Sequence, residues 1–346
     1  MNAAESKSDE IEIPHPRETN VLFGHAEAEA ALLDAYRSGR IPHAWLIGGE
    51  RGIGKATLAY RLARFVLAHP NPAAPTVQKA QTLAVPADHP VARRIASQSH
   101  SDLLALERTL NDKGKLRQDI AVDDVRRSVP FFGSTAGEGG WRVAIVDAVD
   151  ELNAAGANAL LKIVEEPPPR ALLLLVSHAP GRALATIRSR CRRLSLRPLA
   201  AADVAKAAAA ALGEKPDAPE IRTAAAAADG SVARALMFLS GSALELRQQV
   251  SALLDKLPAV DPAALHELGD SLAGTEAETF DAFMDTINAW LSARLARSGG
   301  TAGQLAPLAE AWEQVNRSAR EVDAYNLDRK PFVFAVFGAL ANAARG

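Results

Sequence analysis

Eight consecutive residues, Gly49-Glu50-Arg51-Gly52-Ile53-Gly54-Lys55-Ala56, are the stretch of this 346-residue sequence best suited to hold a phosphate. They match the phosphate-loop pattern G-x-x-x-x-G-K-[ST] at every specified position except the last. Gly49, Gly52 and Gly54 let successive backbone amides curl around phosphate oxygens, and a helix starting there adds its partial positive charge. Lys55 reaches the outer phosphates. The alternative is a glycine-rich turn that only caps a helix. The last position normally supplies a hydroxyl to magnesium. Ala56 has none, and Thr57 is turned by about 100° along a helix, so it does not substitute without a shift of the loop. A second candidate is Asp147, closing the apolar run Val143-Ala144-Ile145-Val146. An acid at a strand end beside a phosphate loop holds the metal through water; taken alone, such an Asp is more often a turn residue, and its pairing with the phosphate loop favours the metal-holding role. The next position, where a hydrolysing enzyme needs a carboxylate to polarise the attacking water, is Ala148. Asp150 and Glu151 fall past the strand end. Magnesium-dependent hydrolysis is therefore expected to be weak or absent, with ATP or ADP binding without cleavage left open.

Positioning these residues requires a sheet. Short apolar runs predict strands over Ala44–Ile47, Leu103–Glu107, Trp141–Val146, Ala171–Val176 and Arg193–Leu196. Helical periodicity predicts helices over His25–Ser38, after the phosphate loop (Leu58, Leu62, Phe65, Val66), and over Asn153–Glu166, ended by Pro167-Pro168-Pro169. Asp123 is expected to cap the helix that follows it. Alternation of five strands with helices implies an α/β domain with a mostly parallel five-stranded sheet over residues 21–198, behind a loose leader at 1–20. Strand patterns then stop. Alanine-rich helical runs occupy 199–242, and 243–346 reads as a further all-α domain, with apolar faces at Leu246–Leu257, Phe280–Leu295 and Phe332–Ala343.

A third stretch is Thr186-Ile187-Arg188-Ser189-Arg190-Cys191. Together with His43-Ala44-Trp45-Leu46-Ile47 and Asn158-Ala159-Leu160-Leu161-Lys162-Ile163-Val164-Glu165-Glu166-Pro167-Pro168, it resembles the subunits of the bacterial DNA polymerase III clamp loader, a family of AAA+ P-loop proteins. The resemblance covers Val21 to about Leu239; beyond that it is one of helical character and length only. It implies an AAA+ domain, a small helical lid and an α-helical collar that holds the ring together. It also implies that Arg190 is a trans arginine finger, projecting with Ser189 and Cys191 across an interface toward ATP bound by a neighbour. A permanently charged, planar guanidinium suits charge developing on a transferred phosphoryl group. Without the resemblance, Arg188, Arg190, Arg192 and Arg193 read more readily as a solvated basic rim. Three departures separate this chain from the motor subunits of the family. AAA+ motors follow the strand-end Asp with Glu, where this chain has Ala148. The motors carry a four-cysteine zinc module, whereas His69–His100 holds no cysteine, so no zinc is expected. Their lid pattern G-S-x-R appears here as Gly230-Ser231-Val232-Ala233-Arg234, the arginine displaced by one. Ser177, at a strand end, is a candidate polar sensor of the phosphates.

The implied function is that of a non-hydrolysing subunit of the delta-prime kind within the polymerase III holoenzyme. Its partners would be gamma/tau and delta subunits in a hetero-pentameric ring, and through that ring a sliding clamp and primed DNA. Two other functions compete. Lys55 and Asp147 suit an active AAA+ motor, gamma/tau-like or of a repair type. Basic residues near Arg93-Arg94, Arg126-Arg127 and Arg188–Arg193 suit a nucleic-acid-binding module. Composition narrows the field. A net charge of −2 gives no bulk basic excess for wrapping DNA. The single cysteine, Cys191, excludes an intramolecular disulfide and a cysteine-rich metal site; it reads as a packed residue rather than a nucleophile. The polar start lacks the pattern of a signal peptide, and no apolar run is long enough to span a bilayer, so a cytoplasmic location away from membranes is expected.

Overall fold

A computed structural model describes residues 14–111, 116–133, 137, 140–181, 183–240, 243–273, 277–297, 302–325 and 327–345. Strands β1 (Ala44–Gly48), β2 (Leu103–Glu107), β3 (Arg142–Asp147), β4 (Ala171–Ser177) and β5 (Arg192–Ser195) form one sheet in the order β2-β3-β4-β1-β5. Every pairing is parallel. The strands fall where the apolar runs predict them, displaced by a residue or two at the ends. β1 and β4 lie in the middle and are buried along their whole length, as strands covered on both faces must be. β5 is an edge strand, and Arg192 and Arg193 are exposed on it.

Helices α1 (Ala26–Arg37), α2 (Lys55–Ala68), α3 (Pro75–Lys79) and α4 (Pro90–Ala96) come early in the chain. After β2 follow α5 (Val122–Arg126) and α6 (Ser128–Gly133), then after β3 α7 (Ala154–Glu165), and after β4 α8 (Ala185–Arg190). Alternation along β1 divides the core. Trp45 and Ile47 pack with Leu32 of α1 and Leu58, Leu62 and Phe65 of α2, whereas Ala44 and Leu46 pack with Leu160 and Ile163 of α7 and Ile187 of α8. Asn153 caps α7, its side chain accepting from the Gly156 amide at 2.9 Å. The helix that Asp123 was expected to cap starts two residues earlier, at Val122. Ala121 occupies its cap position, and Asp123 sits within the first turn, paired to Arg126 at 3.0 Å.

Residues 14–20, expected to be loose, are tied down; the rest of that leader lies outside the described residues. The Arg64 guanidinium, buried on α2, donates to the carbonyls of Pro16 (3.2 Å), Arg17 (2.8 Å) and Thr19 (2.8 Å). His15 meets the Glu107 carboxylate at 3.0 Å. These long-range bonds were invisible to a periodicity argument because the segment has no secondary structure of its own.

Past β5, α9 (Ala201–Leu212), α10 (Pro219–Ala227) and α11 (Val232–Leu239) form the helical continuation. The chain divides into two compact units, Met1–Leu236 and Met237–Gly346. The second is all-α: α12 (Ala243–Leu254), α13 (Pro262–Leu272), α14 (Ala277–Arg297), α15 (Ala302–Tyr325) and α16 (Arg329–Arg345). Its core holds Leu268, Phe283, Ile287, Val333, Phe337 and Leu340, all at most 1 % exposed. Among the described residues no helix is long and apolar enough to cross a membrane.

Candidate functional site

The carboxyl ends of parallel strands are where an open α/β sheet offers a ligand crevice. A cavity of about 690 Å³ lies there. The segment Arg51–Thr57, Asp147 and His178 contribute to its wall, Glu107 and Glu151 add carboxylates, and Val21–Phe23 and α9 add an apolar side. Glu107 and Asp147 are partners in the β2–β3 register, so two strands deliver acids to one edge.

The phosphate loop has the backbone its sequence predicts. Gly49, Gly52 and Gly54 all take positive φ, at 150°, 77° and 97°. Gly54 precedes the first residue of α2, Lys55. Gly52 has a second reason to be glycine. Its carbonyl accepts from the amides of Val232 (2.9 Å) and Ala233 (3.3 Å), so the start of α11 sits on the loop. A Cβ on Gly52 would come within 2.3 Å of the Ser231 hydroxyl and 2.8 Å of the Ala233 methyl. Ala233 thus lies directly against the phosphate loop. Arg234 turns away to Asp229 at 3.1 Å and lies outside the cavity lining.

Lys55 is buried, with its ammonium donating to the Glu50 carbonyl. Burial lowers its pKa to about 8, against the pull of Asp147 and Asp150. Asp147 is pushed up to about 6 by burial and by the nearby Glu151 carboxylate, with Lys55 opposing. The pair is therefore complementary in sign but poorly solvated. Ala56 and Thr57 both line the cavity, the methyl at the metal-ligand position and the hydroxyl one residue on. Ala148 is fully buried in the core beneath α2 and does not line the cavity. No base stands at that position.

Three cavity residues were not among the candidates that the sequence offered. Glu107 pairs with His15, whose hydrogen bond holds its carboxyl below the usual range. Glu151 reaches the cavity from the turn after β3 and is paired to Arg108 at 2.8 Å. Burial raises its pKa. His178 follows Ser177 and is pushed down to about 4 by burial and by Lys55 and Arg51, so its ring is neutral. Parallel strands ending together were the available signal, since Glu107 and His178 lie at the same ends as Asp147 and Gly48. Ser177, the candidate sensor, is buried and absent from the cavity lining; its hydroxyl donates to Asp150 at 2.9 Å. Asp150 also accepts from the amides of His178 and Ala179, tying the end of β4 to the turn after β3.

Arg190 lies elsewhere. It is the last residue of α8, directly before β5, at the amino end of the sheet. Trp45 is the β1 partner of Arg192 and the phosphate loop follows Gly48, so about 13 Å of strand, counting from Ala44, separates the two features. Arg190 and Ser189 are exposed. Cys191, grouped with them at an interface by the resemblance, faces inward instead: it packs with α7 residues Leu160 and Ile163, and burial raises its thiol pKa to about 11. The outward residues of that motif are Ser189 and Arg190.

Comparison with known proteins bears on this arrangement. The family model described as "DNA polymerase III, delta subunit" matches residues 24–200. Subunit delta' of DNA polymerase III from Pseudomonas aeruginosa is 37% identical over 149 residues, 43% of this chain and 41% of that protein. The Escherichia coli K12 subunit delta' is 34% identical over 167 residues, 48% of this chain and 46% of that protein. A Mycobacterium bovis subunit gamma/tau is 32% identical over 180 residues, 51% of this chain and 28% of that protein. The similarity thus spans less than half of the delta' relatives' length. Since the matched stretch is more than half of the chain and includes phosphate loop, Asp147 and Arg190 alike, the chain belongs to the DNA polymerase III delta subunit family, beside relatives of the delta' kind.

Proposed function

We propose that the protein is the delta-prime subunit of a DNA polymerase III clamp loader, a member of the ring that does not hydrolyse ATP. Its partners are gamma/tau and delta subunits, and the assembly loads a sliding clamp on primed DNA. One observation carries the reading. Arg190 is exposed at the end of the sheet opposite the chain's own phosphate loop. An arginine there cannot serve the chain's own cavity, but it can serve a phosphate bound by another chain. The cavity supports the same reading from the other side, since Ala56 offers no metal ligand and Ala148 no base. Lys55 and the loop amides retain the means to bind a nucleotide without cleaving it. Residues 199–242 act as the lid and 243–346 as the collar of the ring.

The test is reconstitution with gamma/tau and delta. The isolated chain should show no ATP turnover, and Arg190→Ala should lower hydrolysis and clamp loading by the complex while the fold stays intact. Loading at the normal rate by that variant would refute the assignment. Glu151 favours a second reading, because its carboxylate reaches the cavity that holds Lys55 and Asp147. Turnover by the isolated chain at about one per second or faster would select that active motor instead.

A further inference from the structure

Arg190 is held by its own subunit. Its Nη2 is 3.1 Å from the Glu165 carboxylate. Its Nη1 donates to the Thr186 carbonyl at 3.1 Å and to the Ser189 hydroxyl at 3.3 Å. Glu165 is the last residue of α7 and Arg190 the last of α8. Two buried residues one turn apart, Ile187 and Cys191, fasten α8 onto α7, which sets the two helix ends side by side. A carboxylate at a helix C-terminus faces the negative end of its own helix, so a neighbouring cation is favoured there. Both side chains remain in solvent, at 41% and 45% exposure for Arg190 and Glu165.

A guanidinium in this pose is folded along the surface of its own subunit. Delivering it to a phosphate on another chain requires the Glu165 contact to break. We infer that Glu165 is a positioning residue: it biases Arg190 toward its own subunit at rest and yields it to a stronger anion, the phosphate chain of a nucleotide in the neighbouring subunit. The latch rests on the function proposed above. It makes Arg190 responsive to whether the neighbouring site is filled, because a single carboxylate competes poorly with a polyphosphate and well with water. An exposed pair of this kind biases an equilibrium only about two- to fivefold, enough to set a threshold without blocking the finger.

The experiment is single-turnover ATP hydrolysis by the reconstituted ring carrying Glu165→Gln, Arg190→Ala, or both. Glu165→Gln should speed hydrolysis about two- to fivefold when Arg190 is present, and leave the rate unchanged when Arg190 is already alanine. Glu165→Asp, which keeps the charge, should fall closer to the wild type. The gain should shrink as salt screens the pair in the parent ring. An unchanged rate in the Glu165→Gln ring, or the same gain in the Arg190→Ala ring, overturns the latch while the finger stands. Wild-type hydrolysis by the Arg190→Ala ring overturns the finger and the latch together.

Discussion

The two ends of the sheet differ in what they present. At the carboxyl end the scaffold of a nucleotide site is intact: glycines at positive φ, a helix starting at Lys55, and an acid at the end of β3. The reacting groups are missing, with a methyl at Ala56 and a methyl sealed in the core at Ala148. At the amino end Arg190 stands in solvent on a six-residue helix, outside the lining of that cavity. On the function proposed above, the first region keeps shape without chemistry and the second offers chemistry to another chain, so each region should respond differently to mutation.

The largest contrast is expected at Arg190. Replacement by alanine should slow hydrolysis at the neighbouring site by about a thousandfold, or about 4 kcal/mol of barrier, as for other arginine fingers. Thermal unfolding of the isolated chain should not move, because the residue's contacts are exposed. Arg190→Lys should recover little, since a point charge cannot reproduce a planar fork. Phosphate release and melting temperature, measured on the same preparation, check both halves. A joint loss would turn Arg190 into a structural residue and erase the contrast.

Ile187 should behave in the opposite way. It is 2 % exposed and anchors α8 to α7. Ile187→Ala should cost about 3 kcal/mol in denaturant unfolding, the usual range for emptying a core position. Any loss of trans activity should follow from the displaced helix.

How far the sequence revealed these regions depends on the distance over which each signal acts. The strands were legible because continuous apolar runs such as Ala171–Val176 reflect burial on both faces. The phosphate loop was legible because glycines and lysine act within eight residues. Asn153 at the head of α7 was legible for the same local reason. In contrast, α13 carries an Asp cap at Asp261, accepting from the Ala263 amide at 2.9 Å, and Pro262 at its first position, yet it lay in a stretch with no named apolar face. Glu107, Glu151 and His178 come from separate strand ends and turns, and only the parallel register unites them. The ties from Arg64 to residues 16–19 span more than forty positions. Cys191 was read partly through a motif that groups it with Arg190, and the motif does not record which way a side chain faces.

At the other end of the sheet, Gly52 tests whether the loop is held by its contact with α11. Gly52→Ala must accommodate a Cβ in left-handed backbone and within 2.3 Å of Ser231. A loss of about 2 kcal/mol is expected, combining strain and overpacking. Adding Ser231→Ala should relieve part of it, since the two substitutions share one contact. Strictly additive losses, read from chemical denaturation of the two single variants and the double variant, would mean that α11 does not bear on the loop.

The smallest effect concerns the cost of keeping a binding site without a bound charge. Asp147 is raised from the ordinary 3.8 to about 6, mainly by burial, so its ionised form is held at a disadvantage in the folded protein. The folded state therefore takes up a proton more readily than the unfolded chain between about pH 4 and pH 6. Folding stability contributed by this group falls as pH rises through that window and stays low above it. Asp147→Asn removes the penalty. The variant should be more stable than the parent above about pH 6, by about 1–2 kcal/mol after allowance for solvent at the open cavity. The advantage should disappear below about pH 4, where the native carboxyl is protonated in both states. Urea unfolding at pH 4.0 and pH 7.5 checks both the sign and the window. A variant less stable than the parent at pH 7.5 would mean that Lys55 depends on Asp147 more than burial penalises it, and that the carboxyl end of the sheet keeps a working ion pair rather than an unfilled scaffold.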